Sequence, residues 1–166
     1  MSYHIFISYP RIAHERGHVS DLRGHLEREL KTKTGDEELV VFQDRSHLEG
    51  GDPWSEKLES ELQIAHAFLL LLSPLWLASR WCRKELQLYV SHSRAKETER
   101  PIIPLLWDET ESTDARTKEE AEILATIKTR QIVRWDVLRH QNSSYPGYYA
   151  AISELAQVIK RKLQAK

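Results

Sequence analysis

Five short apolar runs, at 3–8, 39–42, 67–72, 102–106 and 131–135, alternate with segments whose apolar residues recur every three or four positions. The runs predict strands and the segments between them predict helices, five of each. Val19, Leu22, Leu26 and Leu30 form one helical stripe, Trp54, Leu58, Leu62 and Ala65 a second, and Ile152, Leu155, Ile159 and Leu163 a last one. The strand runs are almost continuously apolar, which suits strands covered by helices on both faces and hence a parallel sheet. A three-layer α/β sandwich is the expected architecture. Pro104 interrupts the fourth run; because proline removes a ladder hydrogen bond, that strand is expected near a sheet edge or locally bulged. Residues 107–120 read as a surface loop running into a helix, and 134–147 as a long polar loop that either shapes a pocket or covers an edge.

Composition narrows the function classes. The 166 residues suit one domain, 1–166, with 40% apolar residues and five Trp. Twenty-four basic residues against twenty-five acidic ones leave a formal charge of −1, so no global field draws nucleic acid or an anionic membrane. A single cysteine cannot form an internal disulfide, and the opening "MSYHIFISYP" lacks a basic segment followed by a long apolar one. A cytoplasmic location is expected. The longest apolar run, "AFLLLL", is too short to cross a bilayer, and the "NSS" sequon at Asn142 carries no meaning without secretion.

In open α/β sheets, ligands bind outside the carboxyl ends of the strands. The stretches to read are therefore "SYPR" after the first strand, "QDRSHLEGGDPW" after the second and "SPLWLASRWCRKE" after the third. The last places Glu85 one helical turn after Trp81, on a helix whose apolar stripe should face the core. Such a glutamate is either a solvated charge or a carboxylate at the lip of a cleft. Cys82 reads as a small core residue and not a nucleophile, with no His near it in sequence. "HERGH", from His14 to His18, fits the HExxH zinc pattern, but Gly17 weakens the helix that the pattern needs and no third ligand is evident. "LEGGDP", from Leu48 to Pro53, lacks both phosphate-loop signatures, so its glycines are expected to permit a turn.

Together, "IFISY" from Ile5, "VFQDRSHLEGGDPW" from Val41 and "LLSPLWLASRWCRKEL" from Leu71 resemble the first box, the BB loop and the third-helix start of Toll/interleukin-1 receptor (TIR) domains. The "SxWCxxEL" string is similar to prokaryotic, NAD-cleaving members. The resemblance implies a flavodoxin-like sheet of order 2-1-3-4-5, with Glu85 as the catalytic glutamate of an NAD+ glycohydrolase or ADP-ribosyl cyclase. NAD+ is then substrate, and no cofactor or metal is implied. Phe6, Ser8, Tyr9, Arg11, Arg45, Leu48, Trp54 and Trp81 are the implied substrate-binding residues. Pro10 departs from the family pattern, in which a polar or basic residue is common. The implied partners are other TIR domains, associating head to tail through the BB loop from Asp44 to Pro53, together with a sensor domain or partner protein in prokaryotic immunity. The competing expectation is a non-catalytic adaptor using the same loop.

Overall fold

The run "AFLLLL" offers no polar position to turn towards water, and it forms the central strand, β3 (Ala67–Leu72), buried at all six residues. The computed structural model describes residues 2–44 and 56–165, apart from the side chains of Ala13 and His14. Beside β3 lie β1 (His4–Ser8) and β4 (Ile102–Leu106), with β2 (Val40–Gln43) and β5 (Val133–Arg134) outermost. The described strands pair in parallel in the order β2-β1-β3-β4-β5, the expected flavodoxin-like topology. Ile5 pairs with Ala67 and Leu69 with Ile103, so the carboxyl ends of β1, β3 and β4 finish side by side.

Strand periodicity sorts the side chains into two cores. Ile5, Ile7, Leu69, Leu71 and Leu105 face α1 (Ala13–Thr34) and α6 (Tyr148–Gln164). Phe6, Phe68, Leu70, Leu72 and Leu106 face α2 (Glu56–Ile64), α4 (Arg80–Ala95) and α5 (Lys118–Lys128). The stripe of Val19, Leu22, Leu26 and Leu30 is fully buried along α1. Ile152, Leu155 and Ile159 do the same for α6, with Leu163 partly buried. Leu58, Leu62 and Ala65 are buried as expected, while Trp54 lies outside the described residues.

The described residues contain a short 3-10 helix at Ser112–Asp114 and one α-helix more than the pattern predicts, the five-residue α3 (Pro74–Ala78). Two serines create it. Ser73 caps α3 by accepting the Trp76 N–H at 3.0 Å, with Pro74 preset at the first helical position. Six residues on, Ser79 sends its own N–H back to the Trp76 carbonyl and accepts the Cys82 N–H, so α3 stops and α4 starts.

Pro104 is accommodated one strand in from the edge. Trp107 donates its N–H to Leu72 on β3, so by alternation the nitrogen of Pro104 faces the β5 side. There β5 pairs only with Leu105 and Leu106, and the proline withholds no ladder donor. Residues 107–120 are less superficial than expected: Trp107 and Thr110 are buried, and the indole N–H of Trp107 reaches Glu15 Oε2 at 3.2 Å. No helix among the described residues is long and apolar enough to cross a membrane.

Candidate functional site

Glu85 occupies a core position of α4. Together with Cys82, Leu86 and Tyr89 it forms the helix's buried stripe, and it has no exposed surface. It is therefore neither a solvated charge nor a carboxylate at an open lip. A charge placed there must be paired.

The pairing comes from the strand ends. Ser8, the last residue of β1, points its side chain to the α4 face and donates its hydroxyl to Glu85 Oε1 at 2.9 Å. The chain then turns through Pro10, with the Ile12 N–H closing on the Pro10 carbonyl at 2.9 Å, and Arg11 folds back over the strand end. Its Nη2 donates to Glu85 Oε2 at 2.7 Å and to Asp44 Oδ2 at 3.3 Å. Its Nη1 donates to Glu85 Oε1 at 3.2 Å and to the Tyr9 carbonyl at 2.9 Å. The guanidinium fork thus covers both carboxylate oxygens, with the Arg11 side chain only 4% exposed.

Burial raises the Glu85 pKa, opposed by the Arg11 charge and by hydrogen bonds from Arg11 and Ser8. Burial alone would lower the Arg11 pKa, but the Glu85 charge and hydrogen bond outweigh it and hold the guanidinium above its ordinary value. Both pKa values are raised, which favours the charged form of Arg11 and disfavours that of Glu85. The 2.7 Å contact is that of an ionised carboxylate, so the raised Glu85 pKa reflects the cost of burying that charge.

Tyr9 lies on the opposite face of β1, among the residues packed on α1, and its hydroxyl donates to the Asp44 carbonyl at 2.5 Å. Burial raises its pKa as well. Gln43 Nε2 donates to the same hydroxyl at 3.3 Å. Two buried polar atoms of this cluster, Arg11 Nε and Gln43 Oε1, have no hydrogen-bond partner.

Ser8, Arg11 and Glu85, which the sequence nominates, meet directly, with Tyr9 adjoining them. Phe6 does not join them: its ring is stacked on Phe68 at 5.6 Å and tilted against Phe42 at 5.6 Å, inside the core. Trp81 lies one turn before Glu85 and is partly exposed, with the Lys84 ammonium 5.4 Å from its ring centroid. Arg45, Leu48 and Trp54 lie outside the described residues, as does the loop to Pro53 beyond Asp44. Trp76, which the motifs do not nominate, is fully buried and donates its indole N–H to Ser8 Oγ at 2.9 Å. The available signal is chemical: a buried indole needs an acceptor.

A second feature opens on the α1 side of the same strand ends. A crevice of about 290 Å³ is bordered by Tyr9, Pro10, Glu15, Ser73, Trp107 and Arg139. Residues 134–147 help to shape it: Arg139 pairs with Asp108 at 3.3 Å, and His140 Nε2 lies 3.1 Å from Glu15 Oε1. Glu15, the central residue of "HERGH", is thus engaged by Trp107 and His140. Among the described residues, no group of three or more His, Cys, Asp or Glu side chains is arranged to hold a metal ion.

Comparison with known proteins agrees with this architecture. A TIR domain of the RPS4 and RRS1 heterodimer superimposes with a TM-score of 0.55 at 10% identity, covering 98% of this chain and 98% of that one. The TIR domain of the Toll-related receptor TRR-2 from Hydra magnipapillata gives a TM-score of 0.50 at 15% identity, covering 94% and 99%. No curated protein sequence matches. At these identities the structural likeness speaks for the fold alone. The TIR domain family model matches residues 5–143, most of the sheet together with the Glu85 cluster, and the chain belongs to the TIR domain family.

Proposed function

We propose that this TIR domain is an NAD+ glycohydrolase in which Glu85 is the catalytic carboxylate. The observation that supports this reading most is the burial of an ionised acid at the carboxyl ends of β1 and β2, held by Arg11 and Ser8. Buried charge pairs are expensive, and strongly perturbed acids at this end of an α/β sheet are functional-site candidates.

The chemistry suits a single carboxylate. The bond from ribose C1′ to the pyridinium nitrogen breaks with its electron pair going to that nitrogen, so nicotinamide leaves neutral and unprotonated. Water adds to C1′ and loses a proton, giving ADP-ribose; attack by an adenine ring nitrogen gives a cyclic product instead. Positive charge develops on the ribose in the transition state, as in glycoside hydrolysis. A carboxylate beside it supplies preorganised stabilisation of about 3 kcal/mol or more. In this reading Ser8 orients Glu85, Arg11 and Tyr9 meet phosphate and ribose, and Trp81 offers a stacking face. Arg45, Leu48 and Trp54 complete the substrate-binding set implied by the resemblance. Activation by head-to-tail association through residues 44–53, and a role as cytoplasmic effector in prokaryotic defence, belong to the same proposal.

One observation favours a second reading. Glu85 has no exposed surface and both of its oxygens are satisfied, which also suits a staple joining β1, β2 and α4 in a non-catalytic interaction module. Incubating concentrated protein with NAD+ separates the two. The enzyme reading expects nicotinamide release that falls about a hundredfold or more in Glu85→Gln while the variant remains folded. No release by the folded parent under conditions of association would leave the interaction module as the function. Chromatography of the other product distinguishes linear from cyclic ADP-ribose.

A further inference from the structure

Glu85 cannot stabilise a cation while a guanidinium covers it. Arg11 spends both terminal nitrogens on the carboxylate, at 2.7 and 3.2 Å, and both side chains are almost wholly withdrawn from solvent. We propose that Arg11 is a substrate-operated latch: a phosphate group of the substrate draws the guanidinium away, and only then does Glu85 face the ribose as an unshielded negative charge. The inference rests on the reading of Glu85 as the catalytic carboxylate and adds a substrate class to it, nicotinamide nucleotides as opposed to the phosphate-free nucleoside.

Three features of the cluster carry the argument. First, Arg11 stands between two carboxylates held unequally, with Nη2 2.7 Å from Glu85 and 3.3 Å from Asp44. Rotation away from Glu85 therefore leaves it beside another acid and not in an apolar core. Second, Arg11 Nε is buried without a partner, so one donor of the fork is unused and becomes satisfied once a third acceptor arrives. Third, phosphate presents the same planar, bidentate match to guanidinium that carboxylate does. Exchanging Glu85 for a phosphate keeps Arg11 paired, whereas withdrawing it with nothing in exchange strands a buried charge. A phosphate-bearing substrate can thus open a site that a phosphate-free riboside cannot.

The experiment divides the substrate into two pieces. Nicotinamide riboside carries the scissile bond without phosphate, and inorganic pyrophosphate carries the phosphate without the bond. The unmodified protein is expected to cleave nicotinamide riboside slowly even at saturation, and saturating pyrophosphate should raise that turnover by about tenfold or more while inhibiting NAD+ cleavage competitively. Arg11→Lys keeps the charge but loses the fork; provided its melting curve shows a folded protein, it should abolish the pyrophosphate response and narrow the gap between NAD+ and the riboside. Equal saturated turnover of NAD+ and riboside, with no response to pyrophosphate, would overturn the latch and leave Glu85 catalytic. A folded protein that cleaves neither compound under conditions of association overturns the latch together with the function on which it rests.

Discussion

The indole N–H of Trp76 donates to Ser8 Oγ at 2.9 Å, and the same hydroxyl donates onward to Glu85 Oε1 at 2.9 Å. Because the indole can only donate, the Ser8 proton has to point at the carboxylate. All three side chains are fully buried.

This chain predicts non-additive stability losses. Ser8→Ala leaves an indole N–H without its acceptor and a carboxylate short of one donor, and is expected to lose about 1–3 kcal/mol. Trp76→Phe removes the donor together with part of the ring and should lose about 1–2 kcal/mol. The double variant should lose less than the sum by at least about 0.5 kcal/mol, since either change alone breaks the same bond. Urea denaturation of the four proteins measures the difference. Strict additivity would mean that the two bonds do not act as a unit.

The raised pKa of Glu85 gives a prediction with a definite sign. Its folded value lies above the ordinary 4.5, so the folded state binds this proton more tightly than the unfolded chain does. The corresponding stability is present below 4.5 and is lost as pH rises through the folded value. Glu85→Gln cannot titrate. Denaturation profiles from about pH 4 to 8 should therefore show the parent's advantage over Glu85→Gln shrinking as pH rises and then levelling. An advantage that grows with pH would mean that the Arg11 charge outweighs burial and that the folded pKa is depressed.

Much of this fold is legible in local pattern because buried parallel strands leave no polar position to mislead. The predicted runs 67–72 and 102–106 match β3 and β4 residue for residue. The break between α3 and α4 is hidden because "PLWLASRW" continues helical spacing. Only the capping bonds of Ser73 and Ser79 end one helix and begin the next. The site is less legible for a different reason. The state of Glu85 depends on Arg11, 74 positions away, and on Asp44, which reach it only because β1 and β2 are neighbours in the sheet. A helical pattern with a glutamate in its apolar stripe signals that something pairs the charge, without saying what. Trp76 is likewise hidden, since its aromatic bulk reads as packing and its N–H bond to Ser8 is a tertiary fact.

Two glycines, one inside α1 and one capping its end, should respond to alanine in opposite directions. Gly35 ends the helix at φ +72°, with its N–H on the Lys31 carbonyl, a left-handed conformation in which a Cβ is strained. Gly35→Ala should lose about 1 kcal/mol. Gly17 lies inside the helix, within "HERGH", and a Cβ there would meet nothing within 4 Å. Gly17→Ala should gain about 0.5–1 kcal/mol. Thermal melts of both variants decide it; a stabilised Gly35→Ala would contradict the left-handed cap.

Cys82 provides a probe of the whole cluster. Its side chain has no exposed surface, and its thiol pKa is pushed up to about 12, chiefly by burial and further by the Glu85 charge, with Arg11 acting against both. Thiolate is the reactive form, so the native protein should resist a disulfide reagent at neutral pH and yield one equivalent only when denatured. Any slow native labelling must then proceed through opening of α4 from the ends of β1 and β2. Glu85→Ala takes from the buried Arg11 guanidinium its closer carboxylate, leaving only Asp44 at 3.3 Å, and should lose about 3 kcal/mol, which favours that opening. Labelling of a folded Glu85→Ala should accordingly run at least about tenfold faster than that of the parent, whereas a surface substitution such as Glu122→Ala should leave the rate unchanged. Rapid native labelling of the parent would mean that the thiol reaches solvent without disturbing the Arg11–Glu85 pair, and that the buried cluster is not the closed unit described above.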